Sequence, residues 1–397
     1  MSNLMPTYRP APVEFISGEG CRLTDVNGKT YLDFLSGIAV TSLGHSHPAV
    51  RDAVSAQLGK LLHVSNLFHS GLNEEVAGTI DLLIGDGAPA GGKVFFTNSG
   101  AESNECAIKL ARRYGGPGRY VVVSAYGSFH GRTLATLHAT GQPTKHEPFA
   151  PMPEGFRHVE YGDLQALDHA LDASVVTAVL LECIEGEAGV IPAPPGYLKK
   201  VRQLCDERNI LMILDEVQTG LGRTGRWFAF QHEGIEPDVV TLAKALGNGM
   251  PVGACWAKSE VADSFVPGDH GTTYGGQPLA MSAVRATLKT MIEIDAPRLA
   301  RDQGAYLRRL VEHIPGVSFV RGEGLLLGIV LGEGIDSTKV VNEALERGLV
   351  LNCPAPGVIR LAPPLIVTPA ECSEAAAIIE LSIEAVQGIA NPGKSGP

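Results

Sequence analysis

The sequence has no uninterrupted apolar run long enough to span a membrane, no block of basic residues, no CxxC pair, no internal repeat and no low-complexity linker. Each absence removes a class of protein. Without a span, no membrane partner is expected. With 43 acidic residues against 32 basic ones, a net charge of −11 and no basic patch, nucleic acid is not the expected partner. The cysteines stand at 21, 106, 183, 205, 255, 353 and 372, an odd and scattered set. Such a set builds no disulfide framework and suits a reducing compartment, so a cytoplasmic location is expected. The opening stretch MSNLMPTYRPAPVEF holds no long apolar core and no cleavage-like site, so no secretory leader is expected. The closing GIANPGKSGP is expected to fray.

What remains is a chain of 397 residues, enough at roughly 150 residues per domain for two or three domains and for a core without cross-links. From about residue 75 to 270, short apolar runs alternate with helical patterns. KVFFTNS (93–99), RYVVVSA (119–125), VVTAVLLEC (175–183) and ILMILDE (210–216) are aliphatic or β-branched throughout rather than alternating, as parallel strands covered on both faces require. Between them ESNECAIKLARRY (102–114) and PGYLKKVRQLCDERN (195–209) read as helices. The alternation predicts an α/β domain with a mainly parallel sheet. Beyond residue 275 a long helix leads into shorter strands and helices, a smaller α+β domain. The division expected is 1–60, an N-terminal segment packing with the smaller domain; 61–275, the large domain; and 276–397, the small one.

The stretch TLAKALGNGMPVGA (241–254) contains a single charged side chain, Lys244, set in an apolar run and followed by Gly247, Gly249 and Gly253. Lysine is rarely buried without a partner. Asp215 and Glu216 end the run ILMILDE, and ligands of open α/β sheets sit at the carboxyl ends of strands. Alone, this is equally an ordinary polar strand end. A desolvated lysine and a carboxylate at neighbouring strand ends together suit one chemistry. The ε-amine attacks a carbonyl to make a Schiff base. Pyridoxal phosphate needs that lysine, and a carboxylate to keep its pyridine nitrogen protonated. It also needs a phosphate cup. KVFFTNSGAESNECAIKLA places Asn98, Ser99, Gly100 and Ala101 between a strand and a helix start, where free N–H groups and the helix dipole favour an anion; NSGAE also reads as a plain helix cap.

SAYGSFHGRT (124–133) puts Phe129, His130 and Arg132 after a strand. The aromatic suits stacking on a flat ring, and the arginine suits a carboxylate; a core Phe and a surface Arg are the plain alternative. Arg360, in GVIRLAPPL, lies between apolar residues and must be paired or face a cleft. Glu182 and Glu187, in ECIEGEAG, are candidate partners. His45 and His47 (GHSHP) have no third ligand at matching spacing and sit in a turn, so no metal site is assigned.

Taken together, NSGAE, FHGRT, GEAG, LDEVQTGLGRTG, TLAKALGNG and HGTTYGGQPLA, in this order, resemble the class III, or ω-, aminotransferases of the fold type I pyridoxal-phosphate enzymes. The similarity runs from YLDFLSGIAVTSLGHSHP to RLAPPLIVT. SGIAV, HVSNLF, FHGRTLATL and PGDHGTTYGG are most similar to the acetylornithine branch of that class. The resemblance implies that Lys244 carries the cofactor and moves the substrate proton. It implies that Asp215 bonds the pyridine nitrogen, that Gln218 lies near the ring hydroxyl, and that Val217 and Phe129 sandwich the ring. Ser99, Gly100 and Ala101 would hold the phosphate. Thr273 would reach the phosphate of the other subunit of a homodimer, with Thr272 beside it near the substrate. Arg132 would take the carboxylate remote from the reacting amine. Arg360 would take the α-carboxylate of glutamate or 2-oxoglutarate, with Glu187 as its gate. The glycines after Lys244 would leave room for cofactor and partner chain. The chain has Ser103, Cys106 and Gln277 where the family often has other residues. Ornithine-specific relatives tend to carry a tyrosine near SGIAV; none stands between Ser36 and Val40, which favours an acylated donor. Rival readings are the same chemistry on ornithine, succinylornithine, 4-aminobutyrate or an amino-lysine derivative; a racemase or mutase; and a cofactor-sensing regulator, for whose extra nucleic-acid-binding domain the chain has no room.

Overall fold

The computed structural model describes residues 3–388; the tail expected to fray lies, from residue 389, outside the described residues. The aliphatic runs become strands Gly92–Thr97, Val121–Ala125, Val176–Glu182 and Leu211–Asp215. Val176–Glu182 and Leu211–Asp215 are buried at every position, the pattern of a sheet covered on both faces. The seven-stranded sheet runs, edge to edge, Gly92–Thr97, Gly253–Lys258, Val239–Leu242, Leu211–Asp215, Val176–Glu182, Val121–Ala125 and Phe156–Val159. Its neighbours pair parallel except Gly253–Lys258, which runs against both of the strands beside it. This mainly parallel sheet with helices is the α/β architecture expected.

Helix Gly100–Gly115 begins where Ser99 caps it, its hydroxyl accepting from the Glu102 N–H at 3.2 Å. Its inward face carries Ser103, Asn104, Cys106, Ala107, Ile108, Leu110 and Ala111 against the sheet. Two four-stranded sheets and a two-stranded one, Ile184–Glu185 with Ile191–Pro192, accompany it. Val317–Glu323, Leu326–Leu331, Val358–Leu361 and Asn352–Ala355 form an antiparallel sheet with helices Ala296–Val311, Ser337–Glu346 and Pro369–Gln387 nearby in sequence. Phe15–Glu19, Arg22–Asp25 and Thr30–Asp33 form a meander completed by Leu349–Val350, parallel to Thr30–Asp33. The N-terminal strands thus share a sheet with a strand from near the other end of the chain. Arg223 ties the regions together. Only 1% exposed, it donates to Ser42 Oγ (3.1 Å) and to the carbonyls of Leu325 (3.1 Å) and Pro363 (2.5 Å). Burial with no carboxylate to pair pushes its pKa down to about 9. Among the described residues no helix is long and apolar enough to cross a membrane.

Candidate active site

The carboxyl ends of the central strands converge on a cavity of 390 Å³. Asp215 closes Leu211–Asp215, Lys244 follows Val239–Leu242, and Ser99 follows Gly92–Thr97. Lys244, Asp215, Ser99, Gly100 and Ala101 line the cavity, as do Phe129, Val217, Gln218, Arg132 and Glu187. Arg360 lies behind the wall, reached through Glu187 and Gln218. Thr272 is outside the lining, its hydroxyl accepting from Asn98 Nδ2 at 3.3 Å and from the Gly275 N–H at 3.1 Å. Thr273 is exposed and not brought to its own chain's cavity. His45 bonds Asp33 at 2.7 Å.

Lys244 has φ +45°, a left-handed backbone that a side chain adopts at some cost and that clusters at functional sites. No hydrogen bond or ion pair holds its Nζ among the described residues. Burial lowers its pKa, with Glu187 opposing the shift and Arg360 adding to it; the neutral amine is correspondingly favoured. The glycines behind it differ from expectation. A Cβ on Gly247 would meet the Met250 carbonyl at 2.2 Å, and one on Gly253 would meet the Thr97 and Ser103 hydroxyls at 2.5 Å. These two serve close contacts inside the chain; Gly249 is the one that lines the cavity.

Asp215 is 4% exposed. Its Oδ2 accepts from Asn104 Nδ2 (2.7 Å) and lies 2.8 Å from His130 Nδ1, while Oδ1 accepts from the Val217 N–H (3.1 Å). Asn104 is held in turn: it donates to the His130 carbonyl (2.8 Å) and accepts from the Thr241 hydroxyl (2.7 Å). The carboxylate is therefore fixed on one oxygen by two side chains, and Oδ1 retains accepting capacity beyond its single backbone donor.

At the start of helix Gly100–Gly115, the Gly100 and Ala101 N–H groups have no acceptor among the described residues. With the Ser99 hydroxyl they make an open anion seat. A Cβ on Gly100 would meet the Val217 methyls at 2.9 and 3.0 Å, so glycine there lets Val217 stand over the cavity floor.

Arg360 is fully buried. Its Nη1 donates to Glu187 Oε1 (2.6 Å), Gln218 Oε1 (3.2 Å) and the Gly186 carbonyl (3.3 Å), its Nε to Asn352 Oδ1 (3.2 Å), and its Nη2 has no partner. Burial raises the Glu187 pKa, but Arg360, Lys244 and Lys145 outweigh it and hold the carboxyl below the ordinary range. Glu182, the other candidate partner, does not reach Arg360. It accepts from the Phe129 and Gly186 N–H groups at 2.8 and 3.2 Å, and burial pushes it up to about 8. Sequence reasoning missed Asn104 and gave His130 no role. An amide among the inward-facing residues of the first turns of helix Gly100–Gly115 is the one local hint of the first, and it does not name its partner. Lys145 was also missed; its Nζ lies 5.4 Å from the Phe129 ring centroid, and Arg132 Cζ lies 5.6 Å from the same centroid.

An unpaired amine, a fixed carboxylate and an anion seat thus surround one cavity, with Arg132 in its lining and Arg360 behind its wall. The family model for class III aminotransferases matches residues 5–383. The acetylornithine aminotransferase of Corynebacterium efficiens is 48% identical over 377 residues, 94% of this chain and 92% of that one. Among solved structures, the N-acetylornithine aminotransferase of Stenotrophomonas maltophilia aligns with TM-score 0.83 at 35% identity, covering 96% of this chain and 98% of that one. The ornithine aminotransferase of Toxoplasma gondii, described with partial occupancy of PLP at its active site, aligns with TM-score 0.91 at 33% identity, covering 97% and 93%. The chain belongs to the class III aminotransferases, and it is an aminotransferase.

Proposed function

We propose that this enzyme transfers the terminal amine of N2-acetyl-L-ornithine to 2-oxoglutarate, giving N-acetylglutamate semialdehyde and L-glutamate, a step of arginine biosynthesis. Its cofactor in this reading is pyridoxal 5′-phosphate, and its working unit is a homodimer. The observation that carries the reading is the division of charge around one cavity. Arg132 pairs with no carboxylate among the described residues, whereas Arg360 is closed by Glu187.

The residues present fit that cofactor: an unpartnered amine, two open N–H groups beside a hydroxyl, and a carboxylate with spare accepting capacity. When bound, it supplies an electron-poor ring that stabilises negative charge on the amine-bearing carbon. Ser99, Gly100 and Ala101 would hold its phosphate, Phe129 and Val217 would flank its ring, and Gln218 would lie near its hydroxyl. Asp215 would keep a proton on the ring nitrogen. Lys244 would tether it and serve as the base and acid for the proton at the substrate carbon. The donor assignment is supported by the relatives' names and by Val40, an apolar residue of the cavity lining. A panel of amine donors tests it: kcat/KM for N-acetylornithine should exceed that for ornithine by more than about tenfold. Parity or reversal would overturn the assignment.

The two arginines should divide the work. N-acetylornithine has one carboxylate, remote from its reacting amine; glutamate has a remote one and an adjacent one. Arg132→Ala should impair both half-reactions. Arg360→Ala should impair the 2-oxoglutarate half-reaction by about two orders of magnitude and the acetylornithine one far less, a charge-assisted contact being worth on the order of 2–4 kcal/mol. Single-turnover rates of each half check this; equal losses for Arg360→Ala would remove the division.

The dimer is supported by the surface around Thr273. Leu61, Leu62, Leu67, Phe68 and Tyr274 are exposed apolar groups, and Asn66 Nδ2 donates to the Gly275 carbonyl at 2.9 Å, joining the two segments. If Thr273 completes the phosphate seat of a second copy, Thr273→Ala should weaken cofactor retention about tenfold, as the loss of a hydrogen bond to a charged group implies. Dilution should release cofactor and dissociate chains together in sedimentation. An active, cofactor-saturated monomer would contradict it.

A further inference from the structure

Glu187 and Arg360 are unequal partners. Arg360 is sealed within its strand, while the Glu187 side chain is 27% exposed and faces the cavity. When a dicarboxylate takes Arg360, Glu187 is therefore the group that moves. A carboxylate released in a largely buried site without a cation is costly. The cations acting on Glu187 are Arg360, Lys244 and Lys145. With a dicarboxylate bound, Arg360 is occupied, Arg132 holds the remote carboxylate, and Lys244 is engaged at the reacting centre. Lys145 remains.

Lys145 stands ready for such a partner. It is half-buried at the end of the short turn Pro143–Lys145 and pairs with no carboxylate among the described residues. Its Nζ donates to Gln142 Oε1. Gln142 is itself anchored, its Nε2 donating to the carbonyls of Gly127 (3.2 Å) and Ser128 (3.0 Å), next to Phe129. The ammonium thus lies over the Phe129 ring that lines the cavity. Burial and nearby Arg132 push its pKa down, and Glu187 opposes them, so a closer Glu187 would favour the charged form further.

We infer that Lys145 is a positioning residue, the counter-ion that receives Glu187 when a dicarboxylate opens Arg360, a placement that rests on the proposed gating of Arg360 by Glu187. The test compares Lys145→Met with the parent holoenzyme. The kcat/KM for 2-oxoglutarate should fall about tenfold more than that for N-acetylornithine, chiefly through KM, and Lys145→Arg should restore most of it. Glutarate, which has both carboxylates and no reacting carbonyl, should bind about tenfold more weakly, whereas pentanoate should lose far less. In a Glu187→Gln background the Lys145→Met effect should vanish. Equal losses for glutarate and pentanoate would assign Lys145 to the remote carboxylate and overturn the inference, as would an undiminished effect in the Glu187→Gln background. Glu187→Ala separates the two levels. If that variant leaves the ratio of the half-reactions unchanged, the gate itself fails. If it shifts the ratio while Lys145→Met does not, only the role of Lys145 fails.

Discussion

Lys244→Ala is expected to lower transamination by at least about four orders of magnitude, because under the proposed function it removes both the covalent tether and the proton carrier at the reacting carbon. The site has no understudy. Arg360 is held by Glu187 and Gln218, and Lys145 is held by Gln142 at the Phe129 ring. The rest of the seat survives the substitution: Ser99, Gly100, Ala101 and Asp215 depend on other elements. The variant should therefore still bind pyridoxal phosphate, reversibly and without the absorbance of a lysine-bound carrier. A small added amine should return part of the proton-transfer rate. The pH dependence follows from the lowered Lys244 pKa. The neutral amine attacks, and a lowered pKa places that form at lower pH. Attachment of cofactor to stripped protein should therefore rise with pH to a plateau whose midpoint lies below the ordinary lysine value. Rapid-mixing absorbance measures both effects. Wild-type turnover in Lys244→Ala, or a midpoint at or above the ordinary value, would contradict this placement.

The parts of this site that sequence could reveal are those whose chemistry conflicts with their local surroundings. A carboxylate closing ILMILD is alone an ordinary polar strand end, but with a lysine set in the apolar run VVTLAKAL it becomes conspicuous, because lysine is rarely buried unpaired. The same rule placed the strand ends, and the strand ends placed the cavity. Pairings across the chain were not legible. Glu182 and Glu187 are both carboxylates in ECIEGEAG, but Glu182 closes the strand and turns to backbone N–H groups, whereas Glu187, beyond it, reaches Arg360. Asn104 reads as an ordinary helix residue until Asp215, far along the chain, arrives beside it. The glycines after Lys244 show the opposite error: their permissiveness was visible, but that Gly247 makes room for Met250 and Gly253 for Thr97 and Ser103 depends on the packed sheet. Strand direction was hidden for a related reason. Gly253–Lys258 runs against its neighbours, and an apolar run carries no arrow. Thr273 lies exposed on its own chain, so any role it has depends on a second copy.

Asp215→Asn should slow the acetylornithine half-reaction by about two to three orders of magnitude, the scale of losing one preorganised charge at a reacting centre. The two side chains are nearly isosteric, so the question is which atom goes where. Asn104 Nδ2 and His130 Nδ1 both address Oδ2, and Asn104 cannot reverse without losing the Thr241 hydroxyl and the His130 carbonyl. The amide oxygen of the new side chain should therefore occupy the Oδ2 position. Its NH2 group then takes the place of Oδ1, where it faces the Val217 N–H as donor against donor. Losing that bond should cost about 1–2 kcal/mol of stability, small against the total, and the fold should persist. The larger effect falls on the carrier's ring nitrogen. An NH2 group there cannot hold a proton on it and instead favours the unprotonated ring, which no longer draws electrons from the substrate carbon. The loss should appear in proton abstraction, so a substrate deuterated at the amine-bearing carbon should show a larger isotope effect in the variant than in the parent. Cofactor affinity should fall far less than the rate, since the phosphate seat is untouched. An unchanged half-reaction rate would show that Asp215 does not govern the ring nitrogen. An equal fall in rate and affinity would show that it acts only as an anchor.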